Sequence, residues 1–263
     1  MAPAFRTMRT AALLLAILPA ASLPGCAVEK ESLGDPAGII TWACDFEGTY
    51  CGMVEQSKVE PKRRSKFVAV ARNGRQAIEL TTLPGDDQVH GSGSWERDDL
   101  QLAASRDYCN EGDDEWWAFS VLFPDGYSES VLGDVMDFHA NSSHGQPNLN
   151  LVAKGDRLIL HGFYGDVDTP GEFQEDVGEI HRNRWYDFVI HVEWSSKEDG
   201  HMAVWVNGRR VLVHNGPTLY PHLACYLKLA NYHVPTRKPS SIIFDRVIRG
   251  TSAAAVAPGK LEE

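Results

Sequence analysis

The sequence of 263 residues predicts an all-β protein, a jelly roll or related sandwich of two antiparallel sheets. The first observation is an alternation of apolar and polar side chains between residues 184 and 194, which is typical of a half-buried strand. The second is a series of apolar segments with turn signals at roughly 8 to 12 residues and no convincing helical period. A sheet that is apolar on one face must be covered by a second sheet, which favours a sandwich.

The most regular part of the chain is predicted to be a three-stranded antiparallel meander over residues 185 to 214. Asn207 and Gly208 form its second turn, and this pair is favoured in two-residue hairpin loops because both positions need positive φ. The first strand places five apolar side chains on one parity: Tyr186, Phe188, Ile190, Val192 and Trp194. The other strands are predicted, in chain order, at residues 39–42, 77–82, 116–124, 135–139, 148–152, 157–161, 226–233 and 241–248.

The beginning of the chain predicts export. Residues 1–26 have the layout of a secretory signal, in which Arg6 and Arg9 precede an apolar run that is too short to span a bilayer. Cys26 ends a segment that resembles a bacterial lipobox, so we expect either a lipid on Cys26 or ordinary cleavage nearby. The protein is then secreted or lipid-anchored at a bacterial cell envelope. The remaining chain is divided into a polar tether (27–38), the sandwich domain (39–250) and a flexible tail (251–263).

Four cysteines follow Cys26, and an even number in an exported chain suggests two disulfides. Cys44 and Cys51 are expected to pair locally, which would leave Cys109 with Cys225. The other two connectivities stay open. A zinc site is the competing interpretation, although no Cys-x-x-Cys pair supports it.

The net charge limits the range of partners. It is −11 for the whole chain and −13 without Arg6 and Arg9, because no acidic residue precedes Glu29. Such an acidic surface argues against nucleic acid and against a polyanion gripped along its whole length. An anionic ligand must therefore be met by a local basic cleft, on a protein that we expect to be a monomer.

Several short segments occur in an order and spacing that can be compared with a known family. They are Glu115–Ser120 with Phe123–Pro124, Asp137–His139, Arg184–Asp187, Val204–Gly208 and Leu227–Tyr232. Over roughly residues 77 to 250 they resemble the heparin-lyase-I-like polysaccharide lyases, a group that includes glucuronan lyases. The resemblance implies a concanavalin-like jelly roll whose concave face grips a uronic-acid polymer and cleaves it by β-elimination, without a required cofactor.

The resemblance also implies catalytic residues. The family's Gln-x-His, Lys-x-x-x-Tyr and Arg-x-Glu elements are matched by Asp137 with His139, Lys228 with Tyr232, and, approximately, Arg97 with Asp99. The family's glutamine is replaced by Asp137, which would repel a substrate carboxylate unless Asp137 is protonated or paired with a cation.

Each implied role follows from the chemistry of the side chain. Arg97 can pair with the substrate carboxylate in a bidentate fork. His139 can take the proton from C5 because histidine titrates near neutral pH. Tyr232 can protonate the leaving oxygen, and its pKa is expected to fall if Lys228 and Arg97 lie close. The alternatives are an ordinary strand histidine, a packed tyrosine, and an arginine paired with a neighbouring acid.

Other positions carry weaker signals. Asn150, Gln146 and Lys154 are further candidates for substrate binding, with turn and surface roles as alternatives. Glu47 and Asp245 are candidates for a structural calcium site because hard cations prefer carboxylate oxygens, although either residue can equally cap a turn.

Two other function classes stay open. Glu111 to Glu115 has the Glu-x-Asp-x-Glu spacing of jelly-roll glycosidases, but Gly112 and Asp114 between the acids predict a turn instead. The segment from Ala43 to Gly52 resembles the opening of MAM-type adhesion domains. The alternative to a lyase is therefore a carbohydrate-binding or adhesion module with the same fold and no activity.

Overall fold

The structure is a computed structural model. It describes residues 38–55, 64–86, 95–102, 104–128, 132–257 and 261. The predicted signal at residues 1–26, the lipidation of Cys26 and the tether up to residue 37 lie outside the described residues. In the part of the chain that is described, no helix is both long enough and apolar enough to cross a bilayer.

The described chain forms two antiparallel sheets around a shared core. Its elements are β1 (Ile40–Cys44), β2 (Val54–Glu55), β3 (Lys66–Val68), β4 (Ala77–Thr82), β5 (Glu96–Gln101), a 3-10 turn (Ser105–Asp107), β6 (Asp114–Leu122), β7 (Leu132–Ala140), β8 (Leu149–Lys154), β9 (Arg157–Tyr164), β10 (Gly171–Glu179), β11 (Trp185–Glu193), β12 (His201–Val206), β13 (Arg209–Asn215), β14 (Cys225–His233), β15 (Ser240–Gly250) and α1 (Ala253–Val256). Sheet A has the order β13-β12-β11-β6-β15-β4-β3, with β1 paired to β15, and sheet B has the order β10-β9-β8-β7-β14-β5-β2.

The predicted meander is confirmed as β11, β12 and β13, which are neighbours at one edge of sheet A. All five apolar side chains of the first strand are buried, from Tyr186 to Trp194. Asn207 and Gly208 have φ values of 52° and 83°, as the two-residue turn requires. The alternation in the sequence therefore identifies the inner face of this sheet correctly.

Aromatic rings join the two sheets across the core. Phe119 and Phe188 stack within sheet A with ring centroids 4.8 Å apart. Trp117 of sheet A meets Phe138 of sheet B edge to face at 5.4 Å. Such pairs stabilise the packing beyond the apolar area that they bury.

Glu115 is buried in the same core. Its Oε2 accepts hydrogen bonds from Nε1 of Trp117 at 2.8 Å and of Trp194 at 3.0 Å, and its Oε1 forms an ion pair with Arg249. The preceding segment is a turn, as predicted, because Gly112 has a φ of 87° and β6 begins only at Asp114. Glu115 therefore has a structural role, which argues against the glycosidase interpretation.

The cysteines correct one prediction. Cys44 and Cys51 form the expected disulfide. Cys109 and Cys225, however, are buried free thiols, although they exchange two backbone hydrogen bonds of 2.8 and 3.0 Å in an isolated bridge. The backbones are adjacent, but the predicted second disulfide is not formed.

The C-terminal segment also differs from the prediction of a flexible tail. Residues 251–257 and 261 are described, and they contain α1, which begins after the N-cap Ser252. Val256 is fully buried and Leu261 is 8% exposed, both packed against sheet A near Trp116. These apolar side chains are too few and too closely spaced to produce a visible period in the sequence.

Candidate active site

A groove of about 560 Å³ lies on the outer face of sheet B. We call it the groove throughout. Its walls come from β5, β7 and β14 and from the loop that joins β7 to β8. The lining residues are Arg97, Asp99, Asp134, Asp137, His139, Ser142, Ser143, His144, Gly145, Gln146, Pro147, Tyr226, Lys228 and Tyr232.

The alternation of β14 aims three groove side chains outward. Tyr226, Lys228 and Tyr232 lie on one parity, while Leu227 and Leu229 on the other are buried in the core. The register then fixes their neighbours across the sheet. Tyr232 lies opposite Arg97 of β5, and Lys228 lies opposite Asp137 of β7.

An irregularity in β7 adds a second acid to the groove. The pairing of β7 with β8 shifts between Asp134 and Met136. Val135 and Met136 are both buried in the core, so Asp134 and Asp137 both line the groove although they are three residues apart. A bulge of this kind re-aims a side chain that strict alternation would turn inward.

Arg97 is held from two sides. Its Nε lies 3.3 Å from Oδ2 of Asp99, and its guanidinium carbon lies 4.2 Å from the centre of the Tyr232 ring. The Tyr232 ring also packs against Trp95 at 4.9 Å. Arg97 is only 7% exposed, so a ligand would meet a cation whose position is already fixed.

His139 lies near the middle of the groove. Its Nδ1 is 3.6 Å from Oδ1 of Asp137, and its ring meets Tyr226 at 5.4 Å. On the next strand, Asn150 donates a hydrogen bond of 2.9 Å to Asp134. Within the described residues, Oδ1 of Asp99 and Oδ1 of Asn150 are buried and accept no hydrogen bond.

Burial raises the pKa of the three aspartates that line the groove. It raises the pKa of Asp137 to about 8, although Lys228 acts in the opposite direction. It raises the pKa of Asp134 to about 6, against the hydrogen bond from Asn150, and it also raises the pKa of Asp99. Asp137 is therefore protonated at neutral pH and can donate a hydrogen bond.

The expected fall in the pKa of Tyr232 is wrong. Burial raises the pKa of Tyr232, and the nearby guanidinium of Arg97 offsets this only in part. The phenol is therefore protonated at neutral pH, as a proton donor must be.

A family comparison supplies the chemical class. The family model described as "Polysaccharide lyase" matches residues 44–248, which is most of the chain. The chain belongs to this polysaccharide lyase family. No curated protein sequence matches it.

This polysaccharide lyase shares its fold with proteins of known structure. An endo-β-1,4-glucuronan lyase from the fungus Trichoderma reesei superposes with a TM-score of 0.68 at 14% identity, covering 84% of this chain and 100% of that one. A carbohydrate esterase from the Shiga toxin-encoding bacteriophage phi24B has a TM-score of 0.51 at 11% identity, with coverages of 82% and 99%. The alginate lyase AlyC3 reaches 0.48 at 13% identity, with coverages of 66% and 74%. At 14% and 11% identity, the likeness to the first two structures shows the jelly-roll fold alone.

The structure of the lyase gathers most of the predicted site residues. Asn150 lies beside the groove, bound to Asp134. Lys154 does not belong to this set, because it is exposed and lines a separate depression of about 490 Å³ with His161 and Gln174. The predicted residues that line the groove are Arg97, Asp137, His139, Gln146, Lys228 and Tyr232.

Several lining residues of the groove were not predicted, among them Tyr226, Asp134 and His144. Tyr226 is two residues before Lys228 in the same strand, so period-two alternation was sufficient to find it. Asp134 lies in the groove because of the bulge, and the sequence contains no signal for that bulge. His144 lies in an exposed loop, where nothing in the sequence distinguishes it from the other histidines.

The predicted calcium pair fits a cation poorly in this lyase. Oε1 of Glu47 accepts hydrogen bonds from the backbone nitrogens of Arg75 and Gln76, and its Oε2 faces the guanidinium of Arg75 at 3.4 Å. Both oxygens of Asp245 accept from backbone nitrogens, those of Arg72, Asn73 and Arg246. The two carboxylates therefore anchor loops, and the calcium prediction has no support from their surroundings.

Proposed function

We propose that this polysaccharide lyase is exported and cleaves a uronic-acid-containing polysaccharide by β-elimination. The observation that carries the proposal is the convergence of Arg97, Lys228, protonated Asp137, His139 and Tyr232 in one groove. The reaction requires a neutralised C6 carboxylate, a base for the C5 proton and an acid for the leaving oxygen. The groove offers a group for each requirement.

Arg97, Lys228 and Asp137 bind the substrate carboxylate. The two cations offset its charge, and Asp137 donates a hydrogen bond in place of the family's glutamine. This binding favours the transition state because negative charge moves onto the carboxylate as C5 loses its proton.

His139 acts as the base, and Tyr232 as the acid. The C5–H bond breaks and its proton passes to His139, while the electron pair forms the C4–C5 double bond. The bond from C4 to the glycosidic oxygen breaks, and Tyr232 gives that oxygen its proton. The products are a chain with an unsaturated uronate at its end and a chain with a free hydroxyl group.

The charge distribution favours an unsulfated polymer. The chain carries a net charge of −11, and the basic groups of the groove, Arg97 and Lys228, are interspersed with three acids. A heavily sulfated chain would meet repulsion over most of the surface. Glucuronan is a suitable first substrate, because the solved glucuronan lyase has the same fold over its whole length.

Export is supported by the sequence of residues 1–26 and by the Cys44–Cys51 disulfide, a bond that persists in oxidising compartments. Mass spectrometry of the mature N-terminus from the native host tests this part. A lipid on Cys26 or cleavage nearby supports export, and an intact Met1 contradicts it.

The activity is tested with glucuronan, alginate, pectate and heparin, by following the ultraviolet absorbance of the conjugated uronate product. We expect a signal with at least one unsulfated polymer. His139→Ala and Tyr232→Phe should each lower kcat by about 10²–10⁴-fold, the usual contribution of a general acid or base. Tyr164→Phe, a tyrosine of β9 that does not line the groove, is the matched control.

Two results would contradict the proposal. Tight binding across the panel without any absorbance change would favour the binding module. Full activity in both His139→Ala and Tyr232→Phe would leave the lyase but remove the assignment of its base and acid.

A further inference from the structure

A second pocket, of about 1140 Å³, lies where three connections cross from one sheet to the other. We call it the end pocket. The connections join β6 to β7, β10 to β11 and β14 to β15. The described residues that line it are Asp125, Gly126, Tyr127, Ser128, Arg182, Pro235, Thr236, Arg237, Lys238, Pro239 and Ser241. Of these, three are cations and one is an acid, so the end pocket is locally basic on a chain whose net charge is −11.

The loop that carries Arg237 and Lys238 is fixed by a buried acid. Oε2 of the fully buried Glu96 accepts a hydrogen bond of 3.1 Å from the backbone nitrogen of Thr236. The hydroxyl oxygen of Thr236 lies 3.0 Å from the same atom and 2.7 Å from the carbonyl oxygen of Lys238. A proline on each side of this segment fixes φ there. The backbone that presents the two exposed cations is therefore ordered before a ligand binds, which reduces the entropic cost of binding.

Arg182 lines the end pocket from the turn between β10 and β11. The next residue, Asn183, has a φ of 56°, which asparagine tolerates, and its backbone nitrogen donates a hydrogen bond of 2.9 Å to the carbonyl oxygen of Phe123. The guanidinium carbon of Arg182 lies 4.9 Å from the centre of the Tyr127 ring, a cation–π contact. The turn and the ring together fix the position of this cation.

The acid in the lining does not cancel this charge. Oδ1 of Asp125 accepts a hydrogen bond of 2.8 Å from Nδ2 of Asn183. Its single negative charge leaves an excess of two positive charges among the described lining residues. Guanidinium and ammonium groups pair favourably with carboxylates. Since the protein as a whole repels a polyanion, a local excess of this kind is where an acidic polymer can make contact.

The end pocket lies close to one end of the groove. Tyr232 lines the groove, and Pro235, three residues later in the chain, lines the end pocket. Three residues span at most about 11 Å. In addition, Glu96, which anchors Thr236, directly precedes the groove residue Arg97 in β5. One extended polymer of acidic sugars can therefore reach both sites.

We propose that the end pocket binds carboxylate groups of an acidic polysaccharide and holds the polymer outside the groove without cleaving it. Arg182, Arg237 and Lys238 pair with the carboxylates. The identity of the polymer as a chain of uronic acids rests on the proposed function, but binding in the end pocket requires no cleavage. Two contacts on one polymer raise the affinity above that of either contact alone.

The experiment measures the dissociation constant of the full chain for glucuronan by calorimetry at low ionic strength. It is done with Tyr232→Phe protein, so that the polymer stays intact. Adding Arg237→Gln together with Lys238→Gln should weaken binding by about tenfold or more, and the difference should shrink as salt is added. Both side chains are exposed, so folding should be retained, and melting temperatures check this.

The matched control carries Lys66→Gln with Lys197→Gln in the same Tyr232→Phe protein. These lysines are 62% and 73% exposed and line neither the groove nor the end pocket, and their replacement changes the net charge by the same amount. The control should bind glucuronan as the Tyr232→Phe protein does. Dextran, a neutral polymer, and monomeric glucuronate serve as comparison ligands, and both should bind more weakly than glucuronan.

Four results would overturn the proposal. The first is an unchanged dissociation constant in the variant of Arg237 and Lys238. The second is an equal loss in the control, which would make net charge the cause. The third is equal affinity for dextran, and the fourth is equal affinity per carboxylate for monomeric glucuronate, which would make this a site for small acids. Absence of lyase activity together with charge-dependent binding at the end pocket would contradict the proposed function and leave this inference standing.

Discussion

Lys228 lies directly opposite Asp137 in the register of β14 and β7, and both side chains are buried in the groove. A lysine so close to an aspartate ordinarily keeps the carboxyl ionised. Here the effect of burial on the pKa of Asp137 is larger than the opposite effect of Lys228, because the charges of Lys228 and Arg97 are shared among Asp99, Asp134 and Asp137. The groove can therefore attract a carboxylate although three aspartates line it beside only one arginine and one lysine.

The first prediction concerns the alkaline limit of activity. Asp137 donates a hydrogen bond to the substrate only while it is protonated, so lyase activity should fall as the pH rises through about 8. Asp137→Asn keeps a neutral donor of the same shape and should extend activity to higher pH. The pH profile of kcat/KM for both proteins measures this. Identical alkaline limbs would mean that another group sets the limit.

The second prediction concerns stability. An unfolded chain releases the proton of Asp137 near its ordinary pKa of about 3.9. The folded chain keeps the proton until the pH reaches about 8. Between these values the unfolded state binds fewer protons, so a rise in pH lowers the free energy of unfolding.

Asp137→Asn should remove this dependence, up to about 1.4 kcal/mol per pH unit in the window from pH 4 to 8. Urea denaturation of both proteins at pH 5, 6 and 7 measures the difference. The variant should gain stability relative to the parent as the pH rises. A constant difference across the series would contradict a raised pKa at this position.

The third prediction separates two lysines that the sequence marked as site residues. Lys228→Met should lower kcat/KM by about 10²-fold, because it removes a buried cation that meets the developing charge. Lys154→Met should leave kcat/KM nearly unchanged, because Lys154 is exposed outside the groove. Melting temperatures of both variants control for folding. Equal losses in the two would mean that the substrate path also crosses β8.

The sandwich was predictable because most strands repeat a period of two with apolar side chains inside. The strand β10 was not predicted because it lacks this pattern. Its residues Gly171 to Glu179 contain four acids and a glycine that interrupts the pairing, so the sequence lacks the alternation that a half-buried strand shows. An edge strand rich in charge resists further pairing, which is physically useful but carries no hydrophobic signal.

The site was predictable only where side chains follow strict alternation. Lys228 and Tyr232 lie four residues apart on one face, so their spacing implies a shared surface. Asp134 depends on the bulge before Met136, and the position of Lys154 outside the groove depends on how the strands lie across the sheet. Both are tertiary features that a local pattern does not contain.

The fourth prediction concerns the two buried thiols. Cys109 and Cys225 should resist alkylation in the folded protein and react only after unfolding, since both are fully buried. Burial also raises the pKa of the Cys225 thiol, which lowers the fraction of reactive thiolate. Mass mapping under non-reducing conditions should find one bridged peptide pair, Cys44 with Cys51. A second bridged pair would restore the disulfide that the sequence suggested.

The fifth prediction concerns Glu115, which supports the core and not the chemistry. Glu115→Ala removes the partner of the Arg249 guanidinium and the acceptor for the indole nitrogens of Trp117 and Trp194. Removing one partner of a buried ion pair typically lowers the free energy of unfolding by about 3–5 kcal/mol, because the remaining charge stays buried.

Glu115→Gln should lower the free energy of unfolding less than Glu115→Ala does, because an amide oxygen still accepts hydrogen bonds from the two indole nitrogens. Chemical denaturation of both variants measures this difference. The double variant Glu115→Ala with Arg249→Met should recover part of the loss, since it removes the orphaned charge as well as its partner. If the single and double variants are equally unstable, the indole hydrogen bonds and the packing, rather than the ion pair, account for the stability that Glu115 provides.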